Sequence, residues 1–296
     1  MNLADLVEQF GSNDRCRDYL EELRWPDGIE CPKCQSKSVS RISTRKQFDC
    51  NSCRNRFSVM AGTVFHDSKL PLWKWFAAVY LMIESKKGIS ALQVKRMLKI
   101  GSYETAWYLC HRIRSAMVEE GEPLSGTVEV DETYIGGKVR GKGRGPYAGG
   151  NKTMVVGAVE RGGRIRLQAG LSPTKADLRS FVKEVVDDDA EAIYTDEFYA
   201  YGDLSDWNTR HEQVTHSKDE WVRGLVHTNT VESAWSLFDR AVLGSYHKLS
   251  RKHLPSYLAE FEFRFNNREN PHLFRDTILA LVEGDALSYK ELVAST

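Results

Sequence analysis

The sequence lacks long hydrophobic runs, since no apolar stretch in its 296 residues approaches the roughly 18 that a membrane-spanning helix needs. Its first ten residues contain Asp5 and Glu8 but no lysine or arginine, which is not the pattern of a secretory signal. We therefore expect a cytoplasmic protein with no membrane partner. The hydrophobic content of 41% is ordinary for a globular protein, and the length allows two domains.

The chain also lacks net charge, because 41 basic residues balance 41 acidic ones. The two kinds of charge are unevenly distributed. Residues 31–114 contain 16 Lys/Arg against 4 Asp/Glu, whereas residues 184–197 contain seven acids and no lysine or arginine. A basic segment favours contact with nucleic-acid phosphates, and a solvated basic surface without a partner is the alternative.

Cysteine is scarce, and four of the six cysteines form one array with the spacing C-x2-C-x15-C-x2-C. This spacing predicts one structural Zn²⁺ in a closed shell of four thiolates. Disulfides are the alternative, but nothing in the sequence indicates the oxidising compartment that they need. Short strands over 39–42 and 45–48 would complete a zinc ribbon. The predicted ligands are Cys31, Cys34, Cys50 and Cys53, and the candidate DNA contacts on the ribbon are Arg45, Lys46, Arg54 and Arg56.

A helical region follows, with helices predicted over 72–83, 91–98 and 103–117 and a cap at Ser90. A short helix, a glycine turn and a second helix with basic residues are typical of a helix-turn-helix. Arg112 and Arg114 on the last helix are its candidate DNA contacts. An ordinary helical hairpin packed under the next domain is the alternative.

After a polar break the pattern changes to strands, predicted over 127–135, 154–160, 164–169, 192–195 and 211–216. Helices are predicted over 175–186, around residue 232 and over 256–268. This order matches a mixed α/β, RNase H-like fold. The basic, glycine-rich loop 136–152 could wrap a phosphate backbone, or be a disordered tip. Its candidate DNA contacts are Lys138, Arg140, Lys142 and Arg144.

We therefore expect four segments. Residues 1–68 hold N-terminal helices and the zinc ribbon, and residues 69–120 hold the helix-turn-helix-like region. Residues 126–270 form the RNase H-like domain, and residues 271–296 form a helical tail.

Three carboxylates are placed to converge in the RNase H-like domain. Asp131 and Asp196 come directly off strands, and Glu232 lies near the start of a helix. Carboxylate oxygens bind hard divalent cations, and two such ions are the usual catalysts of phosphodiester chemistry. Strand alternation should turn the neighbouring Glu132 away from the face that carries Asp131.

The chain resembles the insertion-sequence DDE transposases of the fifteen-ninety-five, or ISXO-two-like, family. Four strings carry the resemblance in order: V-D-E-T-Y-I-G-G, T-D-E-F-Y-A-Y, H-T-N-T-V-E-S-A-W-S-L-F and F-R-F-N-N-R. The cysteine array matches the zinc module of that family. The family's acidic triad falls on Asp131, Asp196 and Glu232, with 35 residues between the last two.

This resemblance implies a transposase that binds the terminal inverted repeats of its own element as double-stranded DNA. It would cleave the strands and join them to target DNA, and it would work as a homo-oligomer on DNA. Two Mg²⁺ (or Mn²⁺) ions would be held by the triad, Asp131 bridging both. Two other readings remain open, an RNase H-like nuclease without joining activity and a non-catalytic zinc-ribbon DNA-binding protein.

The sequence departs from the family pattern at one position. These enzymes often carry a basic residue seven positions after the glutamate, where this chain has Asp239 followed by Arg240. Asn229 is a competing candidate for the third ligand, but an amide does not neutralise a metal ion as a carboxylate does. We expect supporting roles for Asn229, His227 and Arg240.

Overall fold

The computed structural model describes residues 1–119, 121–136, 152–198, 201, 209–214 and 222–294. The chain divides into two compact units, Met1–Met117 with Asn270–Thr296, and Val118–Glu269. Within the described ranges, no helix is long and apolar enough to cross a membrane.

The first unit opens with two helices and a small antiparallel sheet. Helices α1 (Leu3–Phe10) and α2 (Asn13–Arg24) precede strands β1 (Val39–Ile42), β2 (Gln47–Cys50) and β3 (Arg56–Phe57), in the order β1-β2-β3. The second strand begins two residues later than predicted. The reason is a 3-10 turn at Ser43–Arg45, which ends at Lys46 in a left-handed conformation with φ 52°.

Three further helices of this unit follow the ribbon, as the apolar periodicity predicts. They are α3 (Leu72–Glu84), α4 (Ala91–Met97) and α5 (Tyr103–Ser115). The Ser90 hydroxyl accepts a hydrogen bond of 3.1 Å from the Gln93 amide, so the predicted cap is confirmed. Ser102 caps α5 in the same way through the Thr105 amide at 3.0 Å.

The structure contradicts the prediction that Arg112 and Arg114 contact DNA. Their side chains are only 4% and 2% exposed. Arg112 donates to the backbone carbonyls of Val64 and His66, the latter at 2.6 Å, and its guanidinium lies over the Trp75 ring. Since α5 is buried along most of its C-terminal half, its arginines stabilise the fold instead of facing solvent.

The second unit is built on a five-stranded mixed sheet in the order β6-β5-β4-β7-β8. Its strands are β4 (Thr127–Ile135), β5 (Thr153–Glu160), β6 (Ile165–Ala169), β7 (Ala192–Thr195) and β8 (Arg210–Gln213). β4 is central, antiparallel to β5 and parallel to β7. The strands fall where the sequence predicts them, within a residue or two at most ends.

Helices cover both faces of this sheet. On one face, α6 (Lys175–Val185) packs its Leu178, Phe181 and Val182 against Val128, Val130 and Val156. On the other face lie α7 (Asn229–Ala241), which continues into a π-helical turn at Val242–Tyr246, and α8 (Leu254–Asn266). The core there joins Val155, Val159 and Ile165 of the sheet to Trp235, Phe238 and Phe261 of the helices.

Two last helices belong to the first unit. They are α9 (Leu273–Glu283) and α10 (Tyr289–Val293). The Phe274 ring of α9 packs against Phe10 and Phe76, with ring centroids 5.6 and 5.9 Å away. The C-terminal segment therefore completes the core of the N-terminal unit.

Candidate active site and zinc ribbon

Two aspartates lie side by side at the end of a parallel strand pair. β4 and β7 pair in register from Thr127 opposite Ala192 to Val130 opposite Thr195. Asp131 and Asp196 are the next residue on each strand, so both carboxylates emerge where the pairing stops. In α/β sheets the carboxyl ends of parallel strands are the usual position of a functional site.

A third carboxylate joins these two, and it is not the expected one. Carboxylate oxygens of Asp131, Glu132 and Asp196 all lie within 4.8 Å of one another. We call these three residues the acidic cluster. The expected orientation of Glu132, away from the strand face that carries Asp131, does not keep its carboxylate out of this cluster.

Strand alternation does operate, but it does not separate the two side chains. Asp131 lies on the α7 face, where its Oδ2 accepts a hydrogen bond of 3.0 Å from the Trp235 indole. Glu132 lies on the opposite face, where its Oε2 accepts a bond of 3.0 Å from the buried Tyr201 hydroxyl. Because β7 ends its pairing at Thr195, both side chains reach Asp196 around the open edge of β4.

The acidic cluster has the electrostatics of a cation site. Burial raises the pKa of Asp131 to about 8, with further contributions from the negative charges of Glu132 and Asp196. Burial and Asp196 raise the pKa of Glu132 to about 7, against the opposing effect of the Tyr201 hydrogen bond. Carboxylates this close together repel one another when they are ionised, and a hard divalent cation bound between them would offset that repulsion.

Glu232 lies in the first turn of α7 and is exposed to solvent. Its Oε1 accepts a hydrogen bond of 3.0 Å from the Thr228 hydroxyl. Among the described residues, it is not one of the carboxylates that converge with Asp131 and Asp196.

The predicted supporting residues surround the start and the exposed side of α7. His227 is half-buried just before the helix, and Asn229 is its exposed first residue. Asp239 and Arg240 are exposed, and Arg240 donates to the Ser236 hydroxyl at 2.9 Å.

Three residues next to the site were not identified as site residues from the sequence. They are Trp235, Glu129 and Arg161. Glu129 lies on the same strand face as Asp131, two residues earlier, and is fully buried. That spacing was the one available signal, since the partners of all three residues are distant in sequence.

The four predicted zinc ligands form a cluster, and none is in a disulfide. The sulfurs of Cys31 and Cys53 are 3.7 Å apart, and those of Cys34 and Cys50 are 3.5 Å apart. Bonds of about 2.3 Å to one tetrahedral zinc would place sulfurs about 3.8 Å apart, so the cluster fits that ion.

Both cysteine turns share one backbone design. The Gln35 amide donates to the Cys31 carbonyl, and the Arg54 amide donates to the Cys50 carbonyl. Gln35 and Arg54 each take the left-handed conformation, with φ 58° and 59°. The two turns thus present their thiols in matching geometry.

The candidate DNA contacts of the ribbon are exposed, in contrast to those of α5. They are Arg45, Lys46, Arg54 and Arg56. Arg56 pairs with Asp49 at 2.9 Å, and Lys46 pairs with Asp14 at 3.3 Å. The other candidates, Lys138, Arg140, Lys142 and Arg144, lie outside the described residues.

Comparison with known proteins agrees with this architecture. Residues 123–266 match the ISXO2-like transposase domain, and residues 11–56 match the transposase zinc-ribbon domain. A Halobacterium salinarum protein described as an uncharacterized protein in transposable element ISH50 is 33% identical over 280 residues, which cover 87% of this chain and 92% of that protein. This chain belongs to the ISXO2-like transposase family.

The two family matches fall on the ribbon of the first unit and on most of the second unit. A DDE transposase domain implies an RNase H-like fold, and the mixed sheet with helices on both faces agrees with it. The cysteine cluster lies within the residues that match the transposase zinc-ribbon domain.

Proposed function

We propose that this protein is the transposase of its own insertion sequence. It binds the element's terminal inverted repeats, cleaves the DNA strands and joins them to target DNA in reactions that need divalent cations. The convergence of Asp131 and Asp196 where the pairing of β4 with β7 ends, within a transposase domain, carries this proposal. The related protein's description as part of a transposable element supports it.

Asp131, Asp196 and Glu232 are the proposed ligands of two Mg²⁺ (or Mn²⁺) ions. When bound, these ions would activate the attacking oxygen and stabilise the leaving one. Trp235 donates to Oδ2 of Asp131 and Tyr201 donates to Oε2 of Glu132, and each carboxylate retains lone pairs that a cation could use. Both donors also hold their carboxylates in one orientation.

Glu132 competes with Glu232 for the role of third carboxylate. Glu132 lies in the acidic cluster, whereas Glu232 is exposed on the adjacent helix and accepts a hydrogen bond from the Thr228 hydroxyl. Glu132→Gln and Glu232→Gln test the two candidates in the same assay. The essential carboxylate is the one whose amide variant abolishes strand cleavage while the protein stays folded.

The first unit is the proposed DNA-binding part, with one structural zinc in its ribbon. Exposed Arg45 and Arg54 suit contacts to phosphates. If α4 and α5 act as a helix-turn-helix, the contacts come from the exposed first turn of α5, at Tyr103 and Thr105. Two element ends must be cut together, so we propose a homo-oligomer on DNA.

A strand-transfer assay tests the proposed function. Purified protein is mixed with a labelled duplex that carries the element's terminal repeat, supercoiled target DNA and Mg²⁺. Joined product that needs both Mg²⁺ and Asp196, as judged with Asp196→Asn, is the expected result. Cutting without joining would instead identify a nuclease, and tight binding without chemistry would identify a DNA-binding protein.

A further inference from the structure

The start of α7 lacks a cap of its own. Its N-cap residue is Thr228, whose side chain makes no capping hydrogen bond. The amides of the first helical turn have no partner within the helix and must be satisfied from elsewhere. In this protein the partner is a carboxylate from the central strand of the sheet.

Glu129 of β4 supplies that cap. Its Oε2 accepts hydrogen bonds from the amides of Thr230 at 2.7 Å and Val231 at 3.1 Å, and its Oε1 accepts one from the Thr230 hydroxyl at 2.8 Å. The side chain is 0% exposed. A negative charge at this position also suits the positive end of the helix dipole.

Arg161 holds the other side of the same carboxylate. Its Nε donates to Oε1 of Glu129 at 2.6 Å. The two terminal nitrogens donate to the carbonyls of Leu225 at 2.8 Å and His227 at 3.0 Å, in the segment that leads into α7. The guanidinium also lies 4.8 Å from the ring centre of Tyr194, two residues before Asp196.

This arrangement ties the helix to the strands that carry the acidic cluster. Glu129 shares a strand face with Asp131, and the amides that it binds directly precede Glu232. One turn further along α7, Trp235 donates to Asp131. A shift of α7 would therefore move Glu232 and the Trp235 donor together.

We propose that Glu129 and Arg161 form a clasp that positions α7 against β4, and so sets the geometry of the acidic cluster for cation binding. This inference rests on the proposed function for its catalytic meaning. The clasp residues are positioning residues, because they act through α7 and Trp235. Groups that orient metal ligands in this way typically change metal affinity or activity about 10–100-fold when they are replaced.

Glu129→Gln tests the clasp with little change in shape. An amide has only one acceptor oxygen, so it cannot accept from both the helix amides and Arg161. Glu262→Gln is the matched control. The Glu262 side chain is 13% exposed and lies on α8, where it accepts from Arg166 at 2.9 Å and the Leu167 amide at 3.0 Å, both on β6.

The full-length protein with its zinc bound is titrated with Mn²⁺, and binding is followed by electron paramagnetic resonance. Strand cleavage is measured over the same Mn²⁺ range, and thermal unfolding is recorded for each variant. We expect Glu129→Gln to raise the Mn²⁺ dissociation constant and the half-maximal Mn²⁺ concentration about 10–100-fold. Glu262→Gln should leave both within about twofold of the wild type, even where it lowers the Tm as much.

Equal Mn²⁺ affinities in Glu129→Gln and the wild type would overturn the clasp, whatever the change in Tm. If Glu129→Gln does not fold, Arg161→Lys replaces it, because lysine keeps the charge but cannot bridge the two carbonyls and the carboxylate together. Unchanged Mn²⁺ affinity in that variant would overturn the clasp as well. A wild-type protein that binds Mn²⁺ through Asp131 but neither cuts nor joins DNA would refute the proposed function, while the binding measurements would still decide on the clasp.

Discussion

The Trp235 indole donates a hydrogen bond of 3.0 Å to Oδ2 of Asp131, across 104 positions of the sequence. This bond joins the helix that carries Glu232 to the strand that carries Asp131. The Trp235 ring lies against Gly157, the residue opposite Asp131 on β5. The orientation of one proposed metal ligand therefore depends on a tryptophan and a glycine that have no metal-binding chemistry of their own.

Replacing Trp235 with Phe should weaken cation binding without unfolding the protein. A six-membered aromatic ring is kept, but the five-membered ring with the N–H that orients Asp131 is lost. We expect a rise of about tenfold or more in the Mn²⁺ concentration that gives half-maximal strand cleavage. Tyr246→Phe is the control, since it also removes one donor from a buried carboxylate, Glu260, in the same unit. Equal effects of the two variants would contradict the assigned role of Trp235.

Replacing Gly157 with Ala should displace Trp235 from Asp131. A Cβ at residue 157 would lie 2.7 Å from two atoms of the Trp235 ring, which is too close for the ring to stay in place. We expect loss of activity similar to that of Trp235→Phe and a destabilisation of about 1–3 kcal/mol, measured by denaturant unfolding. Gly244→Ala, where a Cβ meets nothing within 4 Å, should change neither quantity appreciably.

Without added Mg²⁺ or Mn²⁺, the stability of the protein should fall as the pH rises from about 5 to about 8. The pKa values of Asp131 and Glu132 are raised to about 8 and about 7 in the folded protein, above the ordinary values of 3.8 and 4.5. Between these limits the folded state binds more protons than the unfolded state, so rising pH favours unfolding. Thermal unfolding at several pH values measures how steeply the stability depends on pH. The buffer contains no chelator, so that zinc stays in place. Asp131→Asn should make the dependence of stability on pH less steep. An unchanged dependence would contradict the raised pKa of Asp131.

Alanine replacements of two arginines in the first unit should affect different properties, stability for one and DNA binding for the other. Arg112→Ala removes buried hydrogen bonds to the Val64 and His66 carbonyls, so we expect a loss of about 2–4 kcal/mol in unfolding free energy. Arg54→Ala should leave stability within about 0.5 kcal/mol. It should weaken DNA binding and reduce the salt dependence by about one phosphate contact. Binding isotherms at several salt concentrations would separate the two effects.

The sequence predicted most of the fold because its local signals agree with the tertiary structure. The strand over Thr127–Ile135 and the cap at Ser90 follow from patterning and capping chemistry that act over a few residues. The clustering of the four cysteines could also be predicted from the sequence, because the spacing of two C-x2-C pairs is typical of a site for one metal ion. The buried arginines of α5 were misjudged, because charge predicts exposure unless a partner such as the Val64 carbonyl comes from elsewhere in the fold.

By itself, the sequence determined the family, the array of four cysteines that cluster in the fold, and the placement of Asp131 within one strand and of Asp196 directly after another. Only the tertiary structure decided which carboxylate joins them, because that depends on where the pairing of β7 with β4 ends. The roles of Glu129, Arg161 and Trp235 were likewise invisible in the sequence. Each acts through a partner at least 32 positions away, and hydrogen bonds of that range exist only once the chain has folded.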